Sequence, residues 1–281
     1  MSQSYELTYY MHSGFSLACD DILLVFDYWL GEFGELPVDR RITPIWLRQF
    51  RAVYVFISHS HPDHLDPEVY AWQDAGIPIQ YIVSYELPAS FGGRRVSPGD
   101  EFTLEEGLTV KVFDSTDLGV SFLTEVRGLR FFHAGDLNFW HWREESTAAE
   151  IDEAEAAFHT ACEPLTQEKQ IDLACFPVDP RQGQLFDVGA VYFLMTVKPR
   201  VLLPMHFWER AEIALEFARR NRSRQSEVIA LTQPGERVLI DMEDDGFLNL
   251  AIPEMRTAAP TRRAQEGADP FAGSDLPVDL G

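Results

Sequence analysis

Residues 53–64, VYVFISHSHPDH, place three histidines and one aspartate directly after an apolar run. The run at 53–57 is β-branched or aromatic, and this composition predicts a buried strand that ends at Ser58. The polar residues therefore follow the carboxyl end of a strand, where open α/β sheets place their sites. His59 and His61 alternate along the chain, so an extended backbone would point both rings to the same side.

The second half of this motif is predicted to face a different direction. Pro62 interrupts regular strand pairing, so Asp63 and His64 turn away from the first two histidines. One strand end can thus supply ligands to two adjacent metal positions. Imidazole and carboxylate suit zinc, and also iron or manganese. A polar loop that is rich in histidine by chance is the simpler alternative, but three of the chain's eight histidines in one hexapeptide argue against it.

The H-x-H-x-D-H pattern resembles the signature of the metallo-β-lactamase fold superfamily, and the resemblance extends over about residues 5–250. Within that superfamily the chain is most similar to stand-alone, lactonase-like metal-dependent hydrolases rather than to the true β-lactamases. The motif is specific for the superfamily but not for a substrate, because this fold hosts many hydrolytic and some redox chemistries.

Composition and charge predict which partners the protein has and in which compartment it lies. The 281 residues carry a net charge of −22, and such a negative surface repels phosphate backbones, so no nucleic acid is expected as partner. The three cysteines form no C-x-x-C pair and are expected to be reduced core residues. No signal peptide and no membrane-spanning run is visible. We therefore predict a cytoplasmic protein with no membrane partner.

The order of predicted elements indicates the fold class. A strand-rich first half is followed by alternating strands and helices from residue 147 onward, and both halves place the same element types around a core. With the resemblance, this predicts an α+β or α/β protein with a four-layer αββα sandwich, the metallo-β-lactamase fold. The hydrolase domain is predicted over 1–253. Residues 254–281 are rich in Pro, Ala, Gly, Asp and Arg without periodicity, and we predict a disordered tail there.

The resemblance implies further metal ligands. Asp136 follows an apolar strand end and a glycine, which is where the superfamily places the carboxylate that bridges its two metals. His206 also follows an apolar strand, and the resemblance makes it the late ligand that completes the second metal with Asp63 and His64. His133 is expected to support a ligand rather than to be one, since a lone histidine on a strand usually has a structural role.

The chain departs from the superfamily pattern at one ligand of the first metal. Most members supply a further histidine from a later strand, but the corresponding region 112–119, VFDSTDLG, contains none. Asp117 or Asp114 could provide an oxygen instead, and Asp117 is the first choice because it lies nearer the glycine that begins the next strand. His133 is a further candidate, and a single-metal site is the remaining alternative. A site with more carboxylate would favour manganese or iron.

Residues near the predicted ligands are candidates for supporting roles. Asp27 ends a strand, and we expect it to orient a ligand imidazole, whereas His12 is expected to make a structural hydrogen bond. Trp140 and His141 belong to an aromatic stretch that either forms a substrate-binding pocket wall or packs on the core. Arg181 either grips an anionic substrate group or is a surface arginine. Asp179 could reach the metal.

These features predict a metal-dependent hydrolase. We expect two divalent ions per chain, zinc first and manganese or iron next, with water between them losing a proton near neutral pH. The resulting hydroxide would attack a small, anionic lactone, ester, amide or phosphodiester, with Asp63 and Asp136 as the catalytic carboxylates. The alternatives are a nuclease or phosphodiesterase of the same fold, and a metal-binding sensor or scaffold that has lost catalysis. The sequence does not determine the oligomeric state.

Overall fold

Two β-sheets form the centre of the fold. The computed structural model describes residues 2–31, 36–222 and 225–254, so all but the first residue of the predicted tail lies outside the described residues. In chain order the strands are β1 (Gln3–Met11), β2 (Gly14–Cys19), β3 (Ile22–Phe26), β4 (Ala52–Ile57), β5 (Ile79–Ser84), β6 (Arg94–Val96), β7 (Glu101–Glu105), β8 (Leu108–Phe113), β9 (Ser121–Val126), β10 (Leu129–His133), β11 (Leu173–Pro177), β12 (Val201–Met205), β13 (Glu227–Val228), β14 (Arg237–Met242) and β15 (Leu248–Ala251). The first sheet has the order β15-β14-β1-β2-β3-β4-β5-β6, and the second has the order β13-β12-β11-β10-β9-β8-β7.

Helices cover the outer faces of both sheets. They are α1 (Pro44–Leu47), α2 (Glu68–Ala71), α3 (Ala148–Thr166), α4 (Val188–Thr196) and α5 (Ala211–Arg220), and short 3-10 segments lie at Val38–Arg40, Trp72–Ala75 and Pro180–Leu185. The first two helices share a core cluster with the first sheet, and the last three pack on the second sheet. The resulting layers are helix, sheet, sheet, helix. The predicted four-layer αββα sandwich is therefore confirmed.

Strand β4 shows how the sequence builds this sandwich. Val53, Val55 and Ile57 face the outer cluster with α1 and α2. Tyr54 and Phe56 alternate with them and face the second sheet. Both sets are buried, which is why the strand reads as a continuous apolar run rather than as an alternating one.

Aromatic contacts between the sheets confirm that their inner faces meet. Phe26 on β3 packs edge-on against Phe131 on β10, with ring centroids 5.0 Å apart. Phe56 on β4 meets Phe122 on β9 at 5.2 Å. These contacts hold the ends of β3, β4 and β10 close together, and the candidate site lies at those ends.

Helix α3 begins the part of the chain for which alternating strands and helices are predicted, and it extends to Thr166. Thr147 and Glu150 form a reciprocal capping box at its start, which satisfies backbone N–H groups that the first turn leaves free. Phe158, Cys162 and Leu165 lie one turn apart and are buried against the second sheet. The helix thereby closes the outer layer on that side.

Two strands had no clear sequence signal. Strand β6 has only three residues, two of them arginines, and pairs in parallel with β5 at the edge of the first sheet. Strand β15 lies at the opposite edge, where it pairs antiparallel with β14. Edge strands are short and partly solvated, so their composition differs little from that of a loop.

The structure also bears on the predictions that the cysteines are reduced and that no segment spans a membrane. Cys19, Cys162 and Cys175 are buried and unpaired, as expected for reduced core residues. Among the described residues, no helix combines the length and apolar character needed to cross a membrane. The cytoplasmic location stays a prediction.

Gly119 allows the loop before β9 to pass against the histidine-rich motif. The N–H of Val120 donates to the Ser58 carbonyl at 3.0 Å. A Cβ on Gly119 would lie 2.0 Å from that same carbonyl oxygen and 2.6 Å from the Cβ of His59. Gly119 also has a φ of +79°, which side chains rarely adopt. Only glycine therefore fits at this contact.

We predict that Gly119→Ala destabilises the fold by about 3 kcal/mol or more, because a backbone clash adds to the ~1–2 kcal/mol of left-handed strain. Gly76→Ala is the matched control: its φ is +77°, and an added Cβ would meet nothing within 4 Å. The control should lose only the ~1–2 kcal/mol of stability that the left-handed conformation costs a residue with a side chain. Urea unfolding of both variants measures the difference, and equal losses would contradict the close approach.

Candidate metal centre

Polar residues that follow six different strands converge at one edge of the sandwich. They are His12 after β1, Asp27 after β3, the motif His59–His64 after β4, Asp136 after β10, Asp179 after β11 and His206 after β12. Parallel pairing of β3 with β4, and of β10 with β11 and β12, puts the carboxyl ends of those strands side by side. The sheet topology therefore gathers residues that are far apart in the sequence.

The Asp136 carboxylate lies between two groups of imidazoles. Its Oδ1 is 3.1 Å from His64 Nε2 and 3.2 Å from His206 Nε2. Its Oδ2 is 3.3 Å from His59 Nε2 and 3.9 Å from His61 Nδ1. Each oxygen thus faces a different pair of rings, which is the arrangement that a carboxylate bridging two cations requires.

The first cluster consists of His59, His61 and Asp136. His59 Nε2 and His61 Nδ1 are 3.0 Å apart, a distance at which the two rings share either a proton or a cation. Ser58 Oγ lies 2.9 Å from His59 Nδ1 and fixes that ring from behind. This cluster offers three ligand atoms.

The second cluster consists of His12, Asp63, His64 and His206, whose ligand atoms all lie within 4.8 Å of one another. Within the part of the chain that the structure describes, the buried atoms His64 Nε2, His206 Nε2 and Asp136 Oδ1 have no hydrogen-bond partner. Leaving a buried polar atom unpaired costs about 1–3 kcal/mol. A divalent cation between these atoms would satisfy all three at once, so the residues present fit a metal.

Two further carboxylates orient the rings of the second cluster. His64 Nδ1 lies 2.8 Å from Asp27 Oδ2, and His206 Nδ1 lies 2.9 Å from Asp179 Oδ2. The Ser58 N–H donates to Asp27 Oδ1 at 2.8 Å and anchors that carboxylate. A proton held on each Nδ1 leaves the Nε2 lone pair free to face the cluster.

Electrostatics favour ionised carboxylates and a neutral His12. Burial would lower the pKa values of His64 and His206, but the Asp136 carboxylate raises both, so a cation bound there has to displace a proton from each of these rings. Burial would raise the pKa of Asp136, but the charges of His64 and His206 bring it well below its ordinary value. Burial likewise would raise the pKa of Asp27, and the hydrogen bond from His64 overcomes this effect and lowers it. Burial, with the charge of His206, lowers the pKa of His12 to about 3. The carboxylates are therefore ionised and His12 is neutral at pH 7.

The structure brings together six of the seven predicted ligands: His59, His61, Asp63, His64, Asp136 and His206. Asp117 is not among them. Its side chain is exposed at the rim of the cavity above the clusters, because it belongs to the loop between β8 and β9 and not to a strand end that is buried between the sheets. His133 is also outside both clusters, because its Nε2 bonds the Ser13 carbonyl at 2.8 Å.

Sequence reasoning missed the position of His12 in the second cluster and the contact between Asp179 and His206. A signal for His12 lies in the order of elements, because it follows β1 directly, as the other ligand-type residues follow the ends of their strands. No local pattern pairs Asp179 with His206, since the two follow adjacent parallel strands 27 positions apart.

A cavity of about 420 Å³ opens above the two clusters. Four of the chain's six tryptophans line it: Trp29, Trp140, Trp142 and Trp208. The rings of Trp140 and Trp142 are stacked, with centroids 5.6 Å apart and planes 9° from parallel. Trp140 also donates from Nε1 to the Asp136 carbonyl at 2.8 Å, which fixes this wall to the metal-binding residues.

The other two predicted substrate-binding residues have different positions. Arg181 lines the cavity, but its Nε and Nη2 donate to Asp179 at 2.9 Å and 2.5 Å. His141 does not line the cavity. It is buried, and its Nε2 bonds the Leu185 carbonyl at 3.2 Å, so it packs on the core while Trp140 on one side of it faces the cavity.

Comparisons with a family model and with related proteins point to the same family. The model of the beta-lactamase superfamily domain matches residues 25–207. A protein of Opitutus terrae named UPF0173 metal-dependent hydrolase is 27% identical over 259 residues, which cover 83% of this chain and 99% of that protein. A protein of the same name from Pyrobaculum neutrophilum is 22% identical over 218 residues, covering 72% and 84% of the two chains.

Solved structures show the same fold. Igni18, described as a novel metallo hydrolase from Ignicoccus hospitalis, superimposes with a TM-score of 0.61 at 18% identity, covering 85% of this chain and all of that one. A putative metal-dependent hydrolase from Parabacteroides distasonis gives a TM-score of 0.58 at 17% identity, covering 82% and 94% of the two chains.

We predict that Asp27→Asn weakens metal binding at the second cluster by about 10–100-fold, as removal of a carboxylate that orients a ligand imidazole typically does. Titration with Zn²⁺, followed by calorimetry, measures the change. Asp20→Asn is the control, because Asp20 is exposed and remote from both clusters. Unchanged affinity in Asp27→Asn would show that His64 is oriented without it.

Because the Asp117 side chain is exposed, we predict that Asp117→Ala leaves the number of bound metal ions unchanged. Elemental analysis of the purified variant beside the wild type measures this number. If the variant loses one ion per chain, Asp117 reaches the first cluster on metal binding and is the ligand that replaces the histidine of the superfamily pattern.

Proposed function

The chain belongs to the beta-lactamase superfamily, and on this premise we propose that it is a metal-dependent hydrolase that holds two divalent cations at Asp136 and cleaves a small substrate in the tryptophan-lined cavity. The observation that supports this most is the meeting of two ligand clusters at the two oxygens of one buried carboxylate. The cavity above them gives a substrate access to both clusters.

The donor set fits hard to borderline cations. Imidazole nitrogens and carboxylate oxygens suit zinc first, and manganese or iron as carboxylate content rises. No cysteine takes part in the clusters among the described residues. When bound, such cations bring the pKa of a coordinated water towards neutrality and polarise the bond to be cleaved.

The chain's own residues prepare this centre for catalysis. Asp27 and Asp179 each hold a proton on the far nitrogen of a histidine, His64 and His206, so that the near nitrogen faces the cluster. Asp63 reaches the second cluster from the motif and lines the cavity, where it can orient water or substrate. These positions are set before a substrate enters, which lowers the reorganisation needed during the reaction.

The cavity wall favours a substrate with a flat apolar part. The indoles of Trp29, Trp140, Trp142 and Trp208 line the approach to the clusters and give it an aromatic surface. Among the described residues Arg181 Nη1 has no hydrogen-bond partner, so it can donate to a carbonyl, carboxylate or phosphoryl oxygen of the substrate. We therefore propose an aryl or similarly flat lactone, ester, amide or phosphodiester.

A long nucleic acid fits this surface poorly. Polynucleotide substrates require a basic groove that follows the phosphate backbone. Of the described residues that line the cavity, one is an arginine, already paired with Asp179, and the acidic Asp117 lies at the rim. With a net charge of −22, these features favour a small substrate.

The test is hydrolysis of matched aryl and alkyl substrates by protein loaded with Zn²⁺, Mn²⁺ or Fe²⁺. We predict metal-dependent cleavage, with a lower KM for dihydrocoumarin, an aryl lactone, than for δ-valerolactone, its alkyl counterpart; KM is compared because the phenolate leaving group alone makes the aryl lactone react faster. We also expect Trp142→Leu to raise KM for the aryl lactone about 3–10-fold, since an aromatic contact contributes ~0.5–1.5 kcal/mol beyond its buried area.

Trp46→Leu is the matched control, because Trp46 packs on Phe50 outside this cavity. It should leave KM unchanged. Equal effects of the two substitutions, or a preference for the alkyl lactone, would contradict the proposed substrate wall. Metal binding without cleavage of any ester, lactone, amide or phosphodiester would instead favour a sensor or scaffold.

A further inference from the structure

His12 is buried without any hydrogen bond to its ring. It follows β1 directly, its side chain is fully shielded from solvent, and neither Nδ1 nor Nε2 has a partner among the described residues. The great majority of buried polar side-chain atoms have a hydrogen-bond partner, so an imidazole with both nitrogens unpaired needs an explanation. The polar contact given for the ring is the one with the Asp63 carboxylate, whose Oδ2 lies 3.3 Å from Nε2.

The surroundings of the ring show where the unpaired nitrogens point. Nε2 lies 3.3 Å from Asp63 Oδ2, and the ring centroid lies 3.9 Å from that of His206 and 5.5 Å from that of His64. Trp208 covers the ring at 4.4 Å. His12 thus faces the same space as the three other members of the second cluster.

The backbone holds His12 in this position. Its φ is +53°, in the left-handed region that costs a residue with a side chain about 1–2 kcal/mol. Its N–H donates to the Tyr9 hydroxyl at 3.0 Å, and its carbonyl accepts from the His206 N–H at 3.2 Å. His206 itself has a φ of +65°. Strain of this kind persists where surrounding contacts fix a residue, and it concentrates at functional sites.

We propose that His12 is a direct ligand of the cation in the second cluster, through Nε2. This inference rests on the proposed metal dependence and goes beyond it by assigning a ligand outside the histidine-rich motif. The second cluster then has five protein donors, four of its own and Asp136 Oδ1, while the first has three. The second cluster should consequently fill first and bind its cation more tightly.

The alternative is that His12 only supports Asp63. In that arrangement Nε2 carries the proton and donates to the Asp63 carboxylate, and the metal receives two histidines in this cluster rather than three. Buried Nδ1–H groups exchange slowly with solvent, so the number of histidine ligands can be counted directly. His64 and His206 hold theirs against Asp27 and Asp179, and Nδ1 of His12 is buried.

The experiment is proton NMR of full-length protein carrying one equivalent of Co²⁺, whose unpaired electrons shift the N–H signals of its histidine ligands. We expect three exchange-protected signals in the wild type. Two signals would mean that His12 is not a ligand, and one would mean that Co²⁺ occupies the first cluster. Either result overturns the proposal while leaving metal dependence intact, whereas failure to bind any cation overturns both.

His12→Asn tests the assignment, because asparagine tolerates the left-handed backbone better than other residues without an imidazole. We expect it to lose one of the three signals and to weaken the tighter Co²⁺ site by about 10-fold or more, in line with the loss of a contact at a metal site. His159→Asn on α3, far from both clusters, should keep all three signals and the affinity. The number of exchange-protected N–H signals in the wild type tests the proposal by itself, so a folding defect in His12→Asn would not prevent the test.

Discussion

The buried carboxylate of Asp136 is the group on which both clusters depend. Removing an ionised carboxylate from water costs several kcal/mol, and attraction to nearby charges offsets this cost only when the geometry is good. Here four imidazoles lie within 4 Å of its two oxygens. Three of these rings, His59, His64 and His206, are themselves oriented by Ser58, Asp27 and Asp179, so the charge of one residue determines how several strand ends must be arranged.

The apolar sandwich makes this arrangement possible by fixing the strand ends at close range. Gly119 and Gly135 both pass against Ser58, where an added Cβ would approach its atoms to 2.0 Å and 2.8 Å. The same edge contains His12, Asp27 and His206 in left-handed backbone conformations. A loosely packed scaffold would relax such strain, whereas two sheets with interlocked aromatic rings retain it.

Local sequence was sufficient for the fold and for much of the site, because strand ends can be read from apolar runs. His59, Asp136 and His206 each stand within three residues of the end of a strand that begins as such a run, and the structure places all three at the centre. The side on which a loop residue faces was not predictable. Asp117 lies in the loop that precedes β9, and its side chain is exposed at the cavity rim. His141 faces the core, although its neighbour Trp140 faces the cavity.

Contacts between strands explain what the sequence could not show about Asp179. Burial would raise the pKa of this carboxyl, but hydrogen bonds from His206 and Arg181 lower it to about 2. It therefore stays ionised and accepts from both partners at physiological pH. Because Arg181 lines the cavity while His206 belongs to the second cluster, one carboxylate links the substrate wall to a ligand imidazole. A charged group that approached Arg181 would act on the same acceptor that holds His206, so the proposed substrate site and the orientation of this imidazole would be coupled at Asp179.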